Sequence, residues 1–300
     1  MLRLFLLTAA IFVALLSQVR PACARDVLVV QNYRANPYTE ALQGFRSVCK
    51  AKSSELVLSE MNGEDVVGEI RRRKPDLILA IGMDALLKVR KIKETPILYL
   101  MVLHPGTVLR GEMNITGVSM VLPPEKQLSL LHRFFPNVKK IGMVYCPRNS
   151  GHLVSRACHA AARMGLELKA FGTGRAEDFP ELLKSMKGNV DAYWMLPDST
   201  VITPETVEYL LLFSMRNRIP IITFSEKYLK MGALLSMEVN SFKMGKQAGE
   251  MALKILSGTS VSELKPLEAI DANPTLNFVI AEKMGITYRY EGVDSYGLVK

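Results

Sequence analysis

The residues of this chain that are able to do chemistry are sparse, and few are spaced for covalent or metal work. Its four cysteines, Cys23, Cys49, Cys146 and Cys158, form no CxxC or CxxCH pair, so haem, thioredoxin and zinc-ribbon chemistry lack their usual spacing. His104, His132, His152 and His159 offer no set of metal ligands. There is no P-loop, GxSxG or HExxH. A dinucleotide site wants glycines after its first strand, yet that loop reads Asn32-Tyr33-Arg34-Ala35-Asn36-Pro37; Gly172-Thr173-Gly174 is a lone GxG. No cofactor is implied, and an enzyme is the lesser reading. What remains is non-covalent recognition by short clusters of polar and aromatic side chains.

Each cluster has a recognition reading and a plainer one. Asn32, Tyr33, Asn36 and Tyr38 sit where a strand gives way to a helix; they suit contact with a ligand, and Asn36 also suits an N-cap. Asp84 is placed to meet a ligand ammonium or to cap the next helix, and Met83 to pack on a ring or fill core. His104 suits a ligand hydrogen bond or a pH-sensitive contact. Tyr145 with Asn149 and Ser150 forms an apparent strand end and turn, able to wrap an anion or to cap a helix. Asp198, with Ser199 and Thr200, is the strongest signal of the second half. Buried between lobes it would want a cationic partner, and a ligand ammonium would serve; a turn aspartate is the alternative. Phe224, Ser225 and Glu226 offer a ring and a hydroxyl, and Glu238 either lines a cleft or is solvated.

These clusters share one property: each follows an apolar run. Val27–Val30, Leu56–Leu58, Leu77–Ile81 and Ile97–Val102 read as strands, with helices between them over Tyr38–Cys49, Asp65–Arg73 and Asp84–Lys91. The plan restarts with strands at Ile141–Tyr145, Leu166–Phe171, Val190–Leu196, Ile219–Thr223 and Ala233–Met237, and helices at His152–Met164, Phe179–Lys187 and Glu205–Arg218. Phe242–Leu256 is a long amphipathic helix stopped by Ser257-Gly258, and Asn277–Ile280 reads as a late strand. Continuous apolar strands alternating with helices indicate parallel sheets covered on both faces. The fold expected is α/β: two doubly wound parallel-sheet lobes with a ligand cleft between them. Such sheets bind ligands outside the carboxyl ends of their strands. The chain is expected to cross between lobes near Gly117–Leu122, Met237–Asn240 and Ala269–Pro274. Lobe 1 is then 25–119 plus about 240–272, and lobe 2 is 120–239 plus about 273–300.

The first 24 residues stand apart. Arg3 precedes an apolar stretch over Leu4–Leu16, and Ala22-Cys23-Ala24 has the small-x-small form of a signal-peptide cleavage site. That stretch is 13 residues, against about 20 for a membrane span. The expectation is a signal peptide cut after Ala24 and export to the periplasm; an uncleaved anchor is the alternative. Losing Arg3 and Arg20 leaves 36 basic against 29 acidic residues, a balance of +7. Arg71-Arg72-Arg73-Lys74 is the one dense basic run and sits at a helix end, where cations complement the dipole. With no broad basic face, nucleic acid is not an expected partner. At 49% hydrophobic and 22% charged, the chain is not an intrinsically disordered one.

Several stretches carry a resemblance: Lys74-Pro75-Asp76-Leu77-Ile78-Leu79-Ala80-Ile81-Gly82, Lys140–Tyr145, Val190–Tyr193 running on to Pro197-Asp198-Ser199-Thr200, Met231–Leu234, Met244–Gly249 and Asn277–Ile286. In this order they resemble ABC-transporter substrate-binding proteins of type I periplasmic fold, the group that includes tryptophan- and tyrosine-binding receptors. The resemblance implies a monomeric receptor that closes on a small-molecule solute, an aromatic or branched amino acid for instance. It would hand that solute to ABC permease subunits in the inner membrane without chemistry. A periplasmic sensing subunit of a signalling system is the alternative with the same fold. The resemblance also implies an acid for the ligand ammonium, hydroxyls and backbone N–H groups for its carboxylate, and apolar or aromatic side chains for its body. Two departures stand out. Such relatives often carry Asp-Pro after the fourth strand, where this chain has His104-Pro105; after the third they often carry Gly-Thr or Gly-Ser, where it has Gly82-Met83-Asp84.

Overall fold

In the four inner strands of the first sheet the side chains are buried almost throughout, which is why the sequence shows continuous apolar runs there. The computed structural model describes residues 25–61 and 65–289. The expected signal peptide lies outside the described residues. Strands β1 (Asp26–Gln31), β2 (Lys52–Val57), β3 (Leu77–Ile81), β4 (Ile97–Val102) and β5 (Ile115–Ser119) pair in parallel, and a short β11 (Leu267–Glu268) joins β5, giving the order β11-β5-β4-β3-β1-β2. Alternate residues of β3 face opposite cores: Leu77, Leu79 and Ile81 one way, Ile78 and Ala80 the other. Helices α1 (Asn36–Val48), α2 (Val66–Arg73) and α3 (Met83–Val89) make the crossovers.

The second sheet repeats the plan with β6 (Lys140–Tyr145), β7 (Glu167–Gly172), β8 (Ala192–Trp194), β9 (Ile221–Thr223) and β10 (Leu235–Val239) in parallel. The edge strand β12 (Ala272–Leu276) runs antiparallel to β10. Its helices are α4 (Pro124–Phe134), α5 (Pro147–Arg163), α6 (Phe179–Ser185), α7 (Pro204–Asn217), α8 (Glu226–Met231) and α10 (Phe278–Met284). The long α9 (Ser241–Leu256) instead joins the first lobe, packed on α1. Glycines permit that approach: a Cβ at Gly245 would overlap the Ala41 carbonyl, and one at Gly44 the Phe242 carbonyl.

The chain passes between the sheets after β5, after β10 and between β11 and β12. These passages are tied side by side. Ala269 N donates to Val121 O (3.1 Å), and Asn240 N donates to Asp271 O (3.1 Å). Three adjacent extended segments form the joint between the lobes.

Some boundaries differ from the sequence reading. The late strand is not Asn277–Ile280 but Ala272–Leu276. Asn277 caps α10, its side chain accepting from Ile280 N (3.1 Å). Pro274 obscured that strand, yet proline is tolerated on a sheet edge. Helix α5 starts at Pro147, five residues before His152, because proline fits the first helical turn. Asn149 and Ser150 are therefore helical, not in a turn. The apolar run Val190–Leu196 contributes a strand of only three residues, and α4 and α8 were not anticipated.

Candidate functional site

The fourth strand ends abnormally, and that abnormality builds the site. Met101 (φ 57°) interrupts the register between β4 and β5, and His104 (φ 51°) is again left-handed, a conformation uncommon outside glycine. Pro105 then opens a one-turn 3-10 helix, with Thr107 N and Oγ1 both donating to the His104 carbonyl. The turn drives the imidazole towards the second lobe. Its Nε2 is buried and has no hydrogen-bond partner. Burial holds the His104 pKa below its ordinary value, opposed by a hydrogen bond to the backbone of Pro197 and by the Asp198 carboxylate across the cleft.

Three cavities meet at His104. The first, about 220 Å³, is predominantly apolar. It is formed by Leu103 of lobe 1, by Met120–Leu122 and Met237–Val239 of the joint, and by Leu153, Pro197 and Phe224 of lobe 2. Its polar points are His104, Gln127, Ser225 and Glu238. A wider cavity of about 600 Å³ opens beyond it between Met83 and Thr107 on one side and Asn149, Asp198, Ser199, Phe224 and Tyr228 on the other. Phe224 meets Tyr228 edge-on, their centroids 5.4 Å apart. The third, about 310 Å³, lies towards β11 and holds Arg156 and Glu268.

Glu238 is the exceptional charge of the apolar cavity. It is half-buried, and burial raises its pKa first, followed by repulsion from Glu226 and from Glu40 on α1. Hydrogen bonds from the Glu226 backbone and the Ser225 side chain act against that rise. Glu226 itself accepts from Thr275 Oγ1 (3.0 Å).

Asp198 is buried but is not waiting for a cation, contrary to expectation. Its Oδ2 accepts from Cys146 N (2.8 Å) and Ser150 Oγ (2.7 Å), and its Oδ1 from Asn149 Nδ2 (2.9 Å) and Thr200 N (3.1 Å). Neutral donors, three at the start of α5 and one on the Asp198 loop itself, thus satisfy the carboxylate, with the helix dipole in its favour. Asn149 Nδ2 also donates to Thr200 Oγ1 (2.9 Å). The anion at this helix terminus is the protein's own.

The lobe 1 loops form a separate cluster. Asn32 Nδ2 donates to Asp84 Oδ2 (2.8 Å), and Tyr33 stacks on Tyr38 with centroids 5.7 Å apart. Burial, then Tyr33 and Asp84, push the Tyr38 hydroxyl pKa up. The ring packs against Gly82, where a Cβ would overlap its hydroxyl. Asn36 is exposed and is not the cap of α1: Ala35 occupies that position, with no side-chain cap bond. Of these lobe 1 residues only Met83 lines one of the three cavities. Tyr145 lines none of them and packs beside Gly172. The structure therefore brings Met83, His104, Asn149, Asp198, Ser199, Phe224 and Glu238 together around the cleft, with Ser150 behind Asp198. It leaves Tyr33, Asn36, Asp84 and Tyr145 outside.

Sequence reasoning missed the apolar lining, Leu103, Met120–Leu122, Leu153, Pro197, Met237 and Val239. The two crossing segments were the available signal, since a passage between lobes necessarily borders the space between them. It also missed Arg156, whose guanidinium joins Glu268 (2.5 Å) of the first sheet to Glu125 (3.2 Å) of α4.

The described residues contain no group of three or more histidine, cysteine or acidic side chains placed to hold a metal, and no helix long and apolar enough to cross a membrane. Comparison with known proteins accords with a binding cleft. A tyrosine-binding protein of Clostridioides difficile is 28% identical over 207 residues, 66% of this chain, and the match spans 59% of that relative's length. The fold is that of the ligand-free, open structure of a substrate-binding protein with adhesive properties from Clostridium difficile. There the TM-score is 0.72 at 23% identity, over 92% of this chain and all of that one. A domain from Streptococcus pneumoniae in complex with L-Trp gives a TM-score of 0.58 at 20% identity, over 88% of this chain and 95% of that one. The family model for ABC transporter substrate binding proteins matches residues 46–294. The chain belongs to the family of ABC transporter substrate-binding proteins.

Proposed function

We propose that this chain is an exported receptor that delivers a small solute to the permease of an ABC importer, closing its two lobes on a molecule with an apolar body and an ammonium group. That class contains the aromatic and branched amino acids. The observation that carries the reading is the 220 Å³ cavity at the joint, lined by both lobes and apolar but for a few polar points, of which Glu238 is the acidic one. An apolar lining with a small number of placed polar groups is the usual form of a small-molecule site. A carboxylate whose pKa is raised by burial and by Glu226 gains from a neighbouring cation. Three linked crossing segments suit closure by a hinge. The signal-peptide pattern of residues 1–24 supports export and a periplasmic location.

The relatives named for tyrosine and L-Trp support the choice of solute class. Isothermal titration of the purified protein against aromatic and branched amino acids and their amine analogues tests the reading. Saturable one-to-one binding of at least one, lost on filling the cavity by Val121→Trp, is expected. Failure of every ammonium-bearing solute to bind would overturn it.

A further inference from the structure

One amide at the apolar cavity is held at both of its ends. Gln127, near the start of α4, borders that cavity. Its Oε1 accepts from the indole Nε1 of Trp194 (3.1 Å), and its Nε2 donates to the carbonyl of Leu122 (2.7 Å). An indole N–H only donates and a carbonyl only accepts, so these two neighbours allow the amide a single orientation. Trp194 ends β8 and is buried. Leu122 belongs to the crossing segment Met120–Leu122, which lines the cavity. Two hydrogen bonds in series therefore run from the interior of lobe 2 to the cavity wall.

The same segment is fastened to lobe 1 just before that point. Met120 N donates to Val102 O of β4 (2.9 Å), and Val121 O accepts from Ala269 N (3.1 Å). Ala269 lies between two residues gripped by Gln247 of α9 in lobe 1. Gln247 Nε2 donates to Glu268 O (3.1 Å), and its Oε1 accepts from Ile270 N (3.3 Å). The segment thus passes from lobe 1 partners to a lobe 2 partner between Val121 and Leu122, both of which line the cavity. Movement of one lobe against the other is felt in the wall itself.

We propose that Gln127 is a positioning residue for solute binding: pinned by Trp194, it holds Leu122 so that the apolar wall is in place before the solute arrives. This rests on the receptor reading above and adds to it the side chain through which lobe 2 sets that wall. A preformed wall spares the solute the cost of ordering it. Without the Nε2 donor, the Leu122 carbonyl loses this partner and the wall loses its tie to lobe 2.

Calorimetric titration of wild type, Gln127→Met and Trp194→Phe with L-tyrosine, L-phenylalanine, L-leucine and phenethylamine tests the proposal. Methionine keeps the length of Gln127 and lacks both polar atoms. Phenylalanine keeps a ring at position 194 and lacks the N–H. Trp194 lines none of the three cavities, so the second variant acts at a distance from the solute and keeps the proposal testable if the first fails to fold. Each folded variant is expected to bind about two- to tenfold more weakly than wild type, the range for loss of one hydrogen bond. Trp194 is the sole tryptophan, so its emission reports the link directly. Solute binding should shift that emission in wild type and leave it unmoved in Gln127→Met, a signature that a merely structural role for Gln127 does not require. Wild-type affinity in a folded Gln127→Met or Trp194→Phe would overturn the proposal and leave the receptor reading intact. So would binding to wild type with no change in Trp194 emission. Binding of none of the four solutes to wild type would overturn both.

Discussion

The hydroxyl of Ser150 donates to the Asp198 carboxylate at 2.7 Å, and through that bond the loop after β8 is fastened to the first turn of α5. Four neutral donors share this one buried carboxylate. Asp198→Ala would leave these four donors without their shared acceptor. It should lower stability by about 3 kcal/mol in denaturant titration, with a milder loss for Asp198→Asn.

Glu238 should show the opposite trade. Its ionised form is disfavoured by burial, Glu226 and Glu40. Glu238→Gln removes that penalty, so the unliganded protein should melt higher at neutral pH. Affinity for an ammonium-bearing solute should fall at least about tenfold, as expected for loss of a charge-assisted hydrogen bond. Thermal melts with and without ligand separate the two effects.

The same group gives a pH dependence. A raised carboxyl pKa means that the folded state holds the proton more tightly than the unfolded chain. Its contribution to stability is therefore fully present below the unfolded pKa, and is lost as pH rises through the folded one. Ligand affinity runs the other way, strengthening as pH climbs through that same range and then levelling off. His104, whose pKa is lowered, becomes charged only in acid and opposes a cation there, reinforcing the trend. The groups acting on Glu238 are Ser225, Glu226 and Glu40. Titrations across mildly acidic to neutral pH should give this rise in wild type, and a smaller one in Glu238→Gln.

Arg156 ties lobe 2 to lobe 1 through Glu268. It is about one-third exposed, so the bridge is modest, about 1 kcal/mol. Arg156→Ala should weaken solute binding several-fold and increase the radius of gyration of the liganded protein by small-angle scattering, with little change in melting temperature.

At the interface of α1 and α9, Gly245→Ala would drive a Cβ into the Ala41 carbonyl. Backbone cannot move aside as a flexible side chain can, so a loss of about 3 kcal/mol is expected in denaturant titration.

The central strands were readable where parallel strands covered on both faces, such as Leu77–Ile81, are apolar without alternation, whereas Ile115–Ser119 and the short Leu267–Glu268 were not read as strands and Lys52–Val57 was read only at its apolar end. Ala272–Leu276 was also missed, since its antiparallel edge position lets Pro274 and Asn273 stand in a strand. The cleft was half legible. Strand-end position located His104, Asp198 and Phe224, but a polar residue at a strand end has no label for its partner. Asp198 proved to be bonded within its own lobe, and Asn32 proved to pair with Asp84 outside the cavities. The apolar walls, Met120–Leu122 and Met237, were signalled only by their place in the crossing segments and not by residue type, because the surface they line exists only once two distant lobes meet.

The most direct measurement is calorimetric titration of wild-type and Glu238→Gln protein with one apolar ammonium-bearing solute, phenethylamine, at neutral pH. Saturable one-to-one binding by the wild type, weakened at least about tenfold in a stably folded Glu238→Gln, is the expected result. Equal binding by the two proteins would contradict a cleft organised around the Glu238 carboxylate.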